Sequence, residues 1–553
     1  MKQKKSTYTI LFFILFSLQG MLAQDISLRL SATDKTERAI LEKVDYLSEH
    51  KDTISLHLEL DRVADHLKKM GYFTNTLLRI EKENKKQVAF FSLNNKIEQV
   101  VIKVNLTTEI YFEKTAIENG VVILPIHKLA PTLSRISSML DREGKSFSKV
   151  QLKNIFIKNK TVFADLKITP SKKRIIHKVI LKGYEKFPSS YVKNYFNIRP
   201  TTVFNQQKIK EIAASAKNLQ FITEIKPPEV LFTKDSTLLY LYLRKKHHNS
   251  FNGIVSFASK ENGDVFFNGN IDIRLHNILD TGEKFELFWN RIGEEKQEFK
   301  VTSEVPYIFN SKLSPNISFS IYKQDSTFLN TKFDSKLFYH FNSKIKFAAT
   351  YTSESSENLA EIINNNIETY RNYFLGIQFQ YRKPKNDFFF NDQFFLTINP
   401  TLGKRKTNTR SLPQFKIETS ASYLWDLNER SSIYVKNKTG YLNSDSFIDN
   451  ELFRIGGANS IRGYNEQSIY TNSYTYFNLE YRYLTSEKSY LYTISDIGQA
   501  EVNAENKNIL GLGLGYLFHT QKNQINIGLI AGKNNKKILI RNTQLLIHWV
   551  SYF

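Results

Sequence analysis

The segment VFFNGNIDIRL, Val265 to Leu275, alternates without a break. Val265, Phe267, Gly269, Ile271, Ile273 and Leu275 fall on one side; Phe266, Asn268, Asn270, Asp272 and Arg274 fall on the other. Period-two alternation over such a length makes a strand with one apolar and one polar face. NILGLGLGYLF repeats the pattern, with Leu510, Leu512, Leu514, Tyr516 and Phe518 opposite Gly511, Gly513 and Gly515. A soluble antiparallel sheet alternates too, so the number of such segments decides. About sixteen can be placed between Asn249 and Phe553, separated by polar turns such as TSEK and KNNKK, and an even-numbered set can close and leave no unpaired edge in lipid. The expectation for residues 247–553 is an all-β transmembrane barrel of sixteen strands.

The chain of 553 residues leaves room for further domains ahead of that barrel. Its first residues carry a basic head (Lys2, Lys4, Lys5), an apolar run from Ile10 to Leu18 and a small-residue exit at Met21-Leu22-Ala23. That is the pattern of a secretory signal peptide over 1–23, cleaved after Ala23. The run is too short to span a bilayer, which takes about 20 apolar residues, and nothing after it approaches that length. The chain contains no cysteine, which excludes a lipid-bearing cysteine, disulfides and thiolate metal sites. Its 42 Phe and 29 Tyr favour a membrane barrel over a soluble exported protein. The net charge of +23 comes from dispersed lysines rather than one basic stripe, so no nucleic-acid partner is expected. Outer-membrane lipid phosphates are one counter-charge, and a generally lysine-rich proteome is the other explanation.

From Asp25 to about Lys246 a pattern of strand, helix, helix, strand, strand recurs, with units beginning near residues 25, 97 and 174, which reads as tandem small α+β domains. The first has DISLRLS, a helical stretch from Glu37 to Ser48, a second helix in ELDRVADHLKKMGYF, then NTLLRIEKE and KQVAFFSL. The second opens with IEQVVIKV, and its longer helix aligns Leu129, Leu133, Ile136 and Leu140 on one face. The third, ILKGYEKFPSSYVKNYFNIRPTTVFNQQKI with LQFITEI, resembles a POTRA domain of the BamA/TamA outer-membrane assembly superfamily. Gly183 stands at the turn after the first strand, Phe204-Asn205 at the start of the second helix, and Phe221 at its exit. The expected boundaries are 24–95 and 96–170 for two POTRA-like domains and 171–246 for the third.

A second resemblance lies in RIGGANSIRGYNEQ, Arg454 to Gln467, between the eleventh and twelfth segments and therefore in an outward-side loop. GGANSIRGY is similar to the superfamily's sixth-loop signature, whose core here is Ile461, Arg462, Gly463 and Tyr464. The resemblance implies a loop folded back into the barrel lumen, its arginine held by carboxylates on the following strands. Parity supplies the candidates. In YFNLEYRYL the apolar row is Phe477, Leu479, Tyr481 and Tyr483, so Glu480 points inward; in YLYTISDIG, Asp496 shares a row with Gly498, assigned to the lumen by the family's pattern. Arginine suits the position because its planar fork binds a carboxylate bidentately and stays charged. Counting across the Ser486 turn places Asp496 near Phe477 and predicts one firm and one loose carboxylate. Gly498 and the inward row of Gly511, Gly513 and Gly515 are expected to leave space for the loop. LHNILDTGEKFEL resembles the family's hairpin between the second and third strands, with Asp280 in place of a glycine. RKKHH, Arg244 to His248, stands at the junction with the barrel, as a lipid-phosphate contact or a solvated link.

The last segment, QLLIHWVSYF, sets Leu545, Ile547, Trp549, Ser551 and Phe553 on one side. Its terminal phenylalanine, with Trp549, resembles the signal by which outer-membrane barrels are targeted. No G-x-S-x-G, H-E-x-x-H or phosphate-binding loop occurs, and the eleven histidines lack ligand spacing; neither enzyme activity nor a cofactor is expected. The resemblance implies an outer-membrane protein with its N-terminal domains in the periplasm. Its partners would be unfolded outer-membrane or secreted clients, lipids, and periplasmic or lipoprotein accessory subunits. Its work would be insertion or translocation by strand templating at a seam between FNGIVSFAS and QLLIHWVSYF. A two-partner secretion transporter is the nearest alternative; a diffusion channel or non-translocating structural protein is another.

Overall fold

The structure, a computed structural model, describes residues 26–83, 86–113, 116–246, 248–259, 265–292, 296–360, 366–385, 387–390, 392–502, 505–534 and 537–553. The expected leader over 1–23 and His247 lie outside them.

The first N-terminal segment contains β1 (Ile26–Ser31), α1 (Lys35–Leu41), the two-residue β2 (Glu49–His50), α2 (Thr53–Lys69), β3 (Thr76–Glu83) and β4 (Lys86–Ser92). Its sheet order is β2-β1-β4-β3, with β1 parallel to β4 and β3 antiparallel to it. Leu56, Leu60, Val63 and Leu67 of α2, at helical spacing, bury against Leu28, Leu30 and Phe91 of the sheet. Asp52 caps that helix by accepting from the Ser55 amide at 2.7 Å, one of the otherwise unmet donors of the first turn. The expected helix over 37–48 stops at Leu41 instead. Apolar residues at 40, 41, 44 and 47 resemble a helical face, but the Glu59 carboxylate accepts from the Leu47 amide at 2.8 Å. This draws the chain toward β2, where His50 pairs with Ile26.

The second segment contains β5 (Gln99–Lys103), β6 (Val121–Pro125), α3 (Leu129–Arg142), β7 (Lys149–Lys158) and β8 (Thr161–Thr169), in sheet order β6-β5-β8-β7. Ile136 and Leu140 of α3 are buried, with Leu129 and Leu133 packed beside them. Where the repeat pattern predicts a first helix, the chain makes a short 3-10 turn, Glu109–Tyr111, and then β6. The β-branched run Val121-Val122-Ile123 favours a strand, and it pairs antiparallel with β5.

The third segment contains β9 (Lys178–Lys182), α4 (Ser189–Asn194), α5 (Gln206–Lys217), β10 (Ile222–Phe232) and β11 (Thr237–Lys245), in sheet order β10-β11-β9. β9 runs parallel to β11, as β1 does to β4 and β5 to β8. Gly183 turns the chain after β9 with φ +86°, and Phe221 is buried. The free sheet edges differ. β3 and β7 contain no proline, whereas β10 contains Pro227 and Pro228 and its register slips on either side of Lys226. Proline has no N–H to offer a further strand.

The chain divides into two units: residues up to Arg174 with Val203–Gln206, and Ile175–Thr202 with Gln207–Phe553. The second unit contains the barrel. Its strands are β12 (Ser250–Ser259), β13 (Val265–His276), β14 (Lys284–Ile292), β15 (Lys296–Glu304), β16 (Leu313–Gln324), β17 (Phe328–His340), β18 (Ile345–Asn358) and β19 (Tyr370–Pro384). They continue as β20 (Asp392–Thr407), β21 (Ser411–Asp426) and β22 (Ser431–Asn443). A short loop hairpin follows, β23 (Phe453–Ile455) and β24 (Ile469–Thr471). β25 (Ser473–Ser486), β26 (Ser489–Val502), β27 (Glu505–His519), β28 (Asn523–Asn534) and β29 (Lys537–Tyr552) complete the wall.

Without β23 and β24 these are sixteen strands in one closed antiparallel cylinder, in chain order, as the alternation predicts. No helix among the described residues is long and apolar enough to cross a membrane; the crossing is made by strands. Leu375, Leu402, Leu514 and Ile547 are exposed on the outer wall, while polar Asn372, Gln378 and Thr401 on the inner rows are buried. Apolar outside and polar inside is the reverse of a soluble barrel and matches one set in lipid.

Candidate functional site: an arginine loop in the barrel lumen

The turn between β13 and β14 fixes which end of the cylinder is which. Asp280 there accepts from Tyr184 Oη at 2.5 Å and from Lys245 Nζ at 2.6 Å, both in the third α+β segment. Asn277, fully buried, donates to Tyr184 Oη at 2.9 Å, and its side-chain oxygen accepts from the Gly282 amide at 2.8 Å. Connections after even-numbered barrel strands therefore lie at the end bearing this segment. The connection after the eleventh strand, β22, lies at the opposite end.

That connection runs from Ser444 to Asn472 and folds inward. β23 and β24 pair as its stem, Phe453 opposite Thr471. Gly456 and Gly457, at φ +108° and +99°, turn the chain toward its tip. Ile461 is fully buried among Ile455, Tyr476, Ala500 and Ile509, an apolar seat that fixes the next residue. Arg462 then donates from its amide and Nε to Asp496 Oδ2 at 2.8 and 2.9 Å, from Nη2 to Asp496 Oδ1 at 2.6 Å, and from Nη1 to Glu480 Oε1 at 2.6 Å. Glu480 Oε2 accepts from Arg482, 2.8 Å from Nε and 2.7 Å from Nη2. Two guanidinium groups face two carboxylates, so the quartet is neutral, and such pairing is what lets charge remain away from water.

The inward pair Glu480 and Asp496 is thus brought to Arg462, but not in the predicted register. Asp496 stands opposite Asn478, and Phe477 opposite Ile497. The ladder shifts between Leu484 and Ser486 as it enters the turn, which simple counting does not anticipate. Nor is one carboxylate loose: both contacts are short, and the asymmetry lies in their number.

The glycines divide. Gly511 is where the loop lies against the wall, since a Cβ there would collide with the Arg462 carbonyl. Gly513 instead faces Ile530, Gly515 faces the Tyr492 ring, and Gly498 faces Tyr476. Their room is taken by neighbouring strands and not by the loop. The glycine that parity missed is Gly532 of β28. Gly463, at φ +90°, meets it backbone to backbone, and a Cβ on Gly463 would lie 2.7 Å from the Gly532 amide nitrogen. Tyr464 completes the tip, donating to the Lys533 carbonyl at 2.8 Å and accepting from the Leu510 amide at 3.2 Å. A glycine set one residue into an apolar row of β28, beside alanine, is the only sequence trace of that contact.

Two other predicted features have plain positions. Trp549 and Phe553 are exposed at the end of the outer row of the last strand. Where first and last strands meet, the described register pairs only Ser250 with Tyr552 and Phe251 with Ser551; the next pair around, β12 with β13, runs from Ser250 to Ser259. Among the described residues no group of His, Cys, Asp and Glu is placed to hold a metal ion.

Residues 315–518, from β16 to β27, match the family model of the haemolysin secretion/activation protein ShlB/FhaC/HecB. A search of the curated proteins finds no match. Among solved structures the chain is similar to CdiB from Acinetobacter baumannii, at 11% identity over 90% of this chain and 98% of that one, with a TM-score of 0.52. It is similar to CdiB from Escherichia coli at 12% identity over the same shares, with a TM-score of 0.50. BamA from Haemophilus ducreyi, lacking POTRA domains 1–3, aligns over 82% of this chain and 99% of that one at 12% identity, with a TM-score of 0.47. At such identities the structures speak for fold alone. With the family match over residues 315–518, the sixteen strands and the arginine loop, this is an outer-membrane β-barrel similar to the ShlB/FhaC/HecB haemolysin secretion/activation proteins.

Proposed function

We propose that the protein inserts polypeptide into the outer membrane or moves it across, with its N-terminal α+β domains, bounded near residues 95, 170 and 246, on the periplasmic side. The observation that carries this reading is the combination of a loop folded into the lumen and a seam with two residue pairs among the described residues. The loop tip is held inside the cylinder by Arg462, while β12 and β29 share two residue pairs. An extended client needs a partner for its own N–H and C=O groups before it can enter lipid. Free edges supply such a partner by strand addition. β7, with Ile155, Phe156 and Ile157 exposed, and β3, with Leu77 and Leu78 exposed, are open to it; the prolines of β10 are not. The seam supplies a second such edge, and the completed hydrogen bonds provide the free energy without a nucleotide. Extending the register of the two seam pairs sets Val255 opposite Ile547. Cysteines at both positions, oxidised in this otherwise cysteine-free chain, are expected to abolish client handling and leave the barrel folded. Full activity of the bridged protein refutes the seam.

A second reading is favoured by the match over 315–518: export of one dedicated secreted protein. Three α+β segments, where such transporters usually carry two, speak for the first reading. Depletion of the protein distinguishes them. Loss of many outer-membrane proteins marks an assembly factor, and loss of one secreted protein marks a dedicated exporter.

A further inference from the structure

The loop's base is attached as firmly as its tip, and to a different stretch of wall. The turn Asp449–Glu451 carries two buried side chains, those of Asn450 and Glu451. Glu451 forms an ion pair with Arg405 of β20, and the two side chains are 1% and 0% exposed. The other Glu451 oxygen accepts from Gln414 Nε2 of β21 at 2.8 Å, and Arg405 Nη2 donates to Ser446 Oγ at 2.8 Å. Asn450, fully buried, donates to Ser356 Oγ of β18 at 2.6 Å, and its carbonyl accepts from Asn330 Nδ2 of β17 at 2.7 Å. The base is therefore bound by the sixth to tenth strands, Tyr370 of β19 also donating to the Asn450 carbonyl at 3.1 Å. The tip is bound by the twelfth to sixteenth, with a further bond from Gln467 to Glu298 of the fourth. Between them the loop crosses the lumen.

We infer that Arg405 is a second anchor, which holds the loop base against β20 and β21 and keeps the far mouth of the barrel shut independently of Arg462. A guanidinium fully withdrawn from water cannot part by degrees from the one carboxylate paired with it among the described residues, because either charge alone is left without solvent or counter-charge. The base is either seated or released. It is also less completely bonded than the tip: Arg462 makes four hydrogen bonds to two carboxylates, whereas Arg405 faces one carboxylate and its buried Nε has no partner among the described residues. Neutralising Arg405 leaves Glu451 buried without its counter-charge, so the base is driven out into water while the tip stays docked, and a passage opens beside it.

The measurement is conductance of the full-length protein in planar bilayers. Arg405→Gln and Glu451→Gln, each run as a folded, heat-modifiable barrel, are expected to raise the open fraction roughly tenfold or more. Adding Arg462→Gln should raise it further, and exchanging the charges (Arg405→Glu with Glu451→Arg) should return it toward the starting level. A merely structural pair would lower the yield of folded barrel without opening it. A second route covers poor folding of the glutamine variants. Asn450 Nδ2 and Ser356 Oγ lie 2.6 Å apart, so Asn450→Cys with Ser356→Cys can bridge base to wall with Arg405 and Glu451 left in place. The bridge should silence residual openings, and reduction should restore them. Folded glutamine variants that conduct like the parent, or a bridge that leaves openings unchanged, overturn the proposal.

Discussion

Asp496→Asn is the most informative single change in the lumen site. The carboxylate accepts three hydrogen bonds from Arg462, on both of its oxygens, in a position with no solvent exposure. An asparagine keeps one acceptor oxygen, turns an NH2 toward the guanidinium and removes the charge. Withdrawing one partner of a buried pair costs about 3–5 kcal/mol, and the lower figure applies because Glu480 remains. Taken as about 3 kcal/mol, the loss moves the equilibrium between docked and undocked tip by roughly 150-fold. Trypsin can cut after Arg454 and Arg462 only when the tip is out. While opening is fast relative to cleavage, the rate of nicking follows the population of the open form. Protease added to the outer face of cells or proteoliposomes should therefore nick the variant about two orders of magnitude faster than the parent, with the barrel intact. Asp496→Glu, which keeps the charge, should fall between them. Equal nicking of a folded Asn variant would show that the ion pairs do not hold the loop.

Three further outcomes are expected. Gly511→Val should give the same nicking as Asp496→Asn without touching a charge, because its side chain would occupy the place of the Arg462 carbonyl; protection equal to the parent would contradict the close approach. The Lys245 ammonium, and then the Tyr184 hydroxyl, hold the Asp280 carboxyl below the usual aspartate range. Its contribution is therefore present above the unfolded pKa of about 3.9 and lost as pH falls through the lower folded value. The gap in unfolding temperature between the parent and Asp280→Asn should persist at neutral pH and close in acid; a gap that ignores pH would refute the contact. Phe553→Ala with Trp549→Ala should lower the amount of barrel reaching the outer membrane while leaving protein refolded in detergent unchanged, which immunoblots of membrane fractions can score.

The barrel was legible because alternation is imposed twice over, by lipid on one face and by the polar lumen on the other. Glu480 could be assigned to the lumen from its neighbours alone, whereas Asp496 needed the family resemblance to choose between its two rows. What escaped were quantities set between distant segments. The place of Asp496 against Asn478 depends on one irregular step near Ser486. The Gly463–Gly532 approach joins residues far apart in the chain, and nothing local to either marks it. Arg405 had a trace, as a charge on the inward row of Thr401 and Gly403, yet its partner Glu451 lies in a loop without periodicity. In the first segment the missed end of a helix has a similar cause: a carboxylate on α2 takes the Leu47 amide that a longer helix would have used.

The uneven stitching of the cylinder bears on the order in which it is made and undone. Every other neighbouring pair of wall strands is joined through a connection in the same stretch of chain, so bringing its partners together confines few residues. β12 and β29 come from opposite ends of a run of roughly 300 residues, which makes theirs the costliest closure in chain entropy, and the two residue pairs seen among the described residues are a small return for it. The cylinder should therefore form as a curling ribbon whose rim joins last. On heating it should part at that rim first, with amide exchange fastest along the facing edges of these two strands.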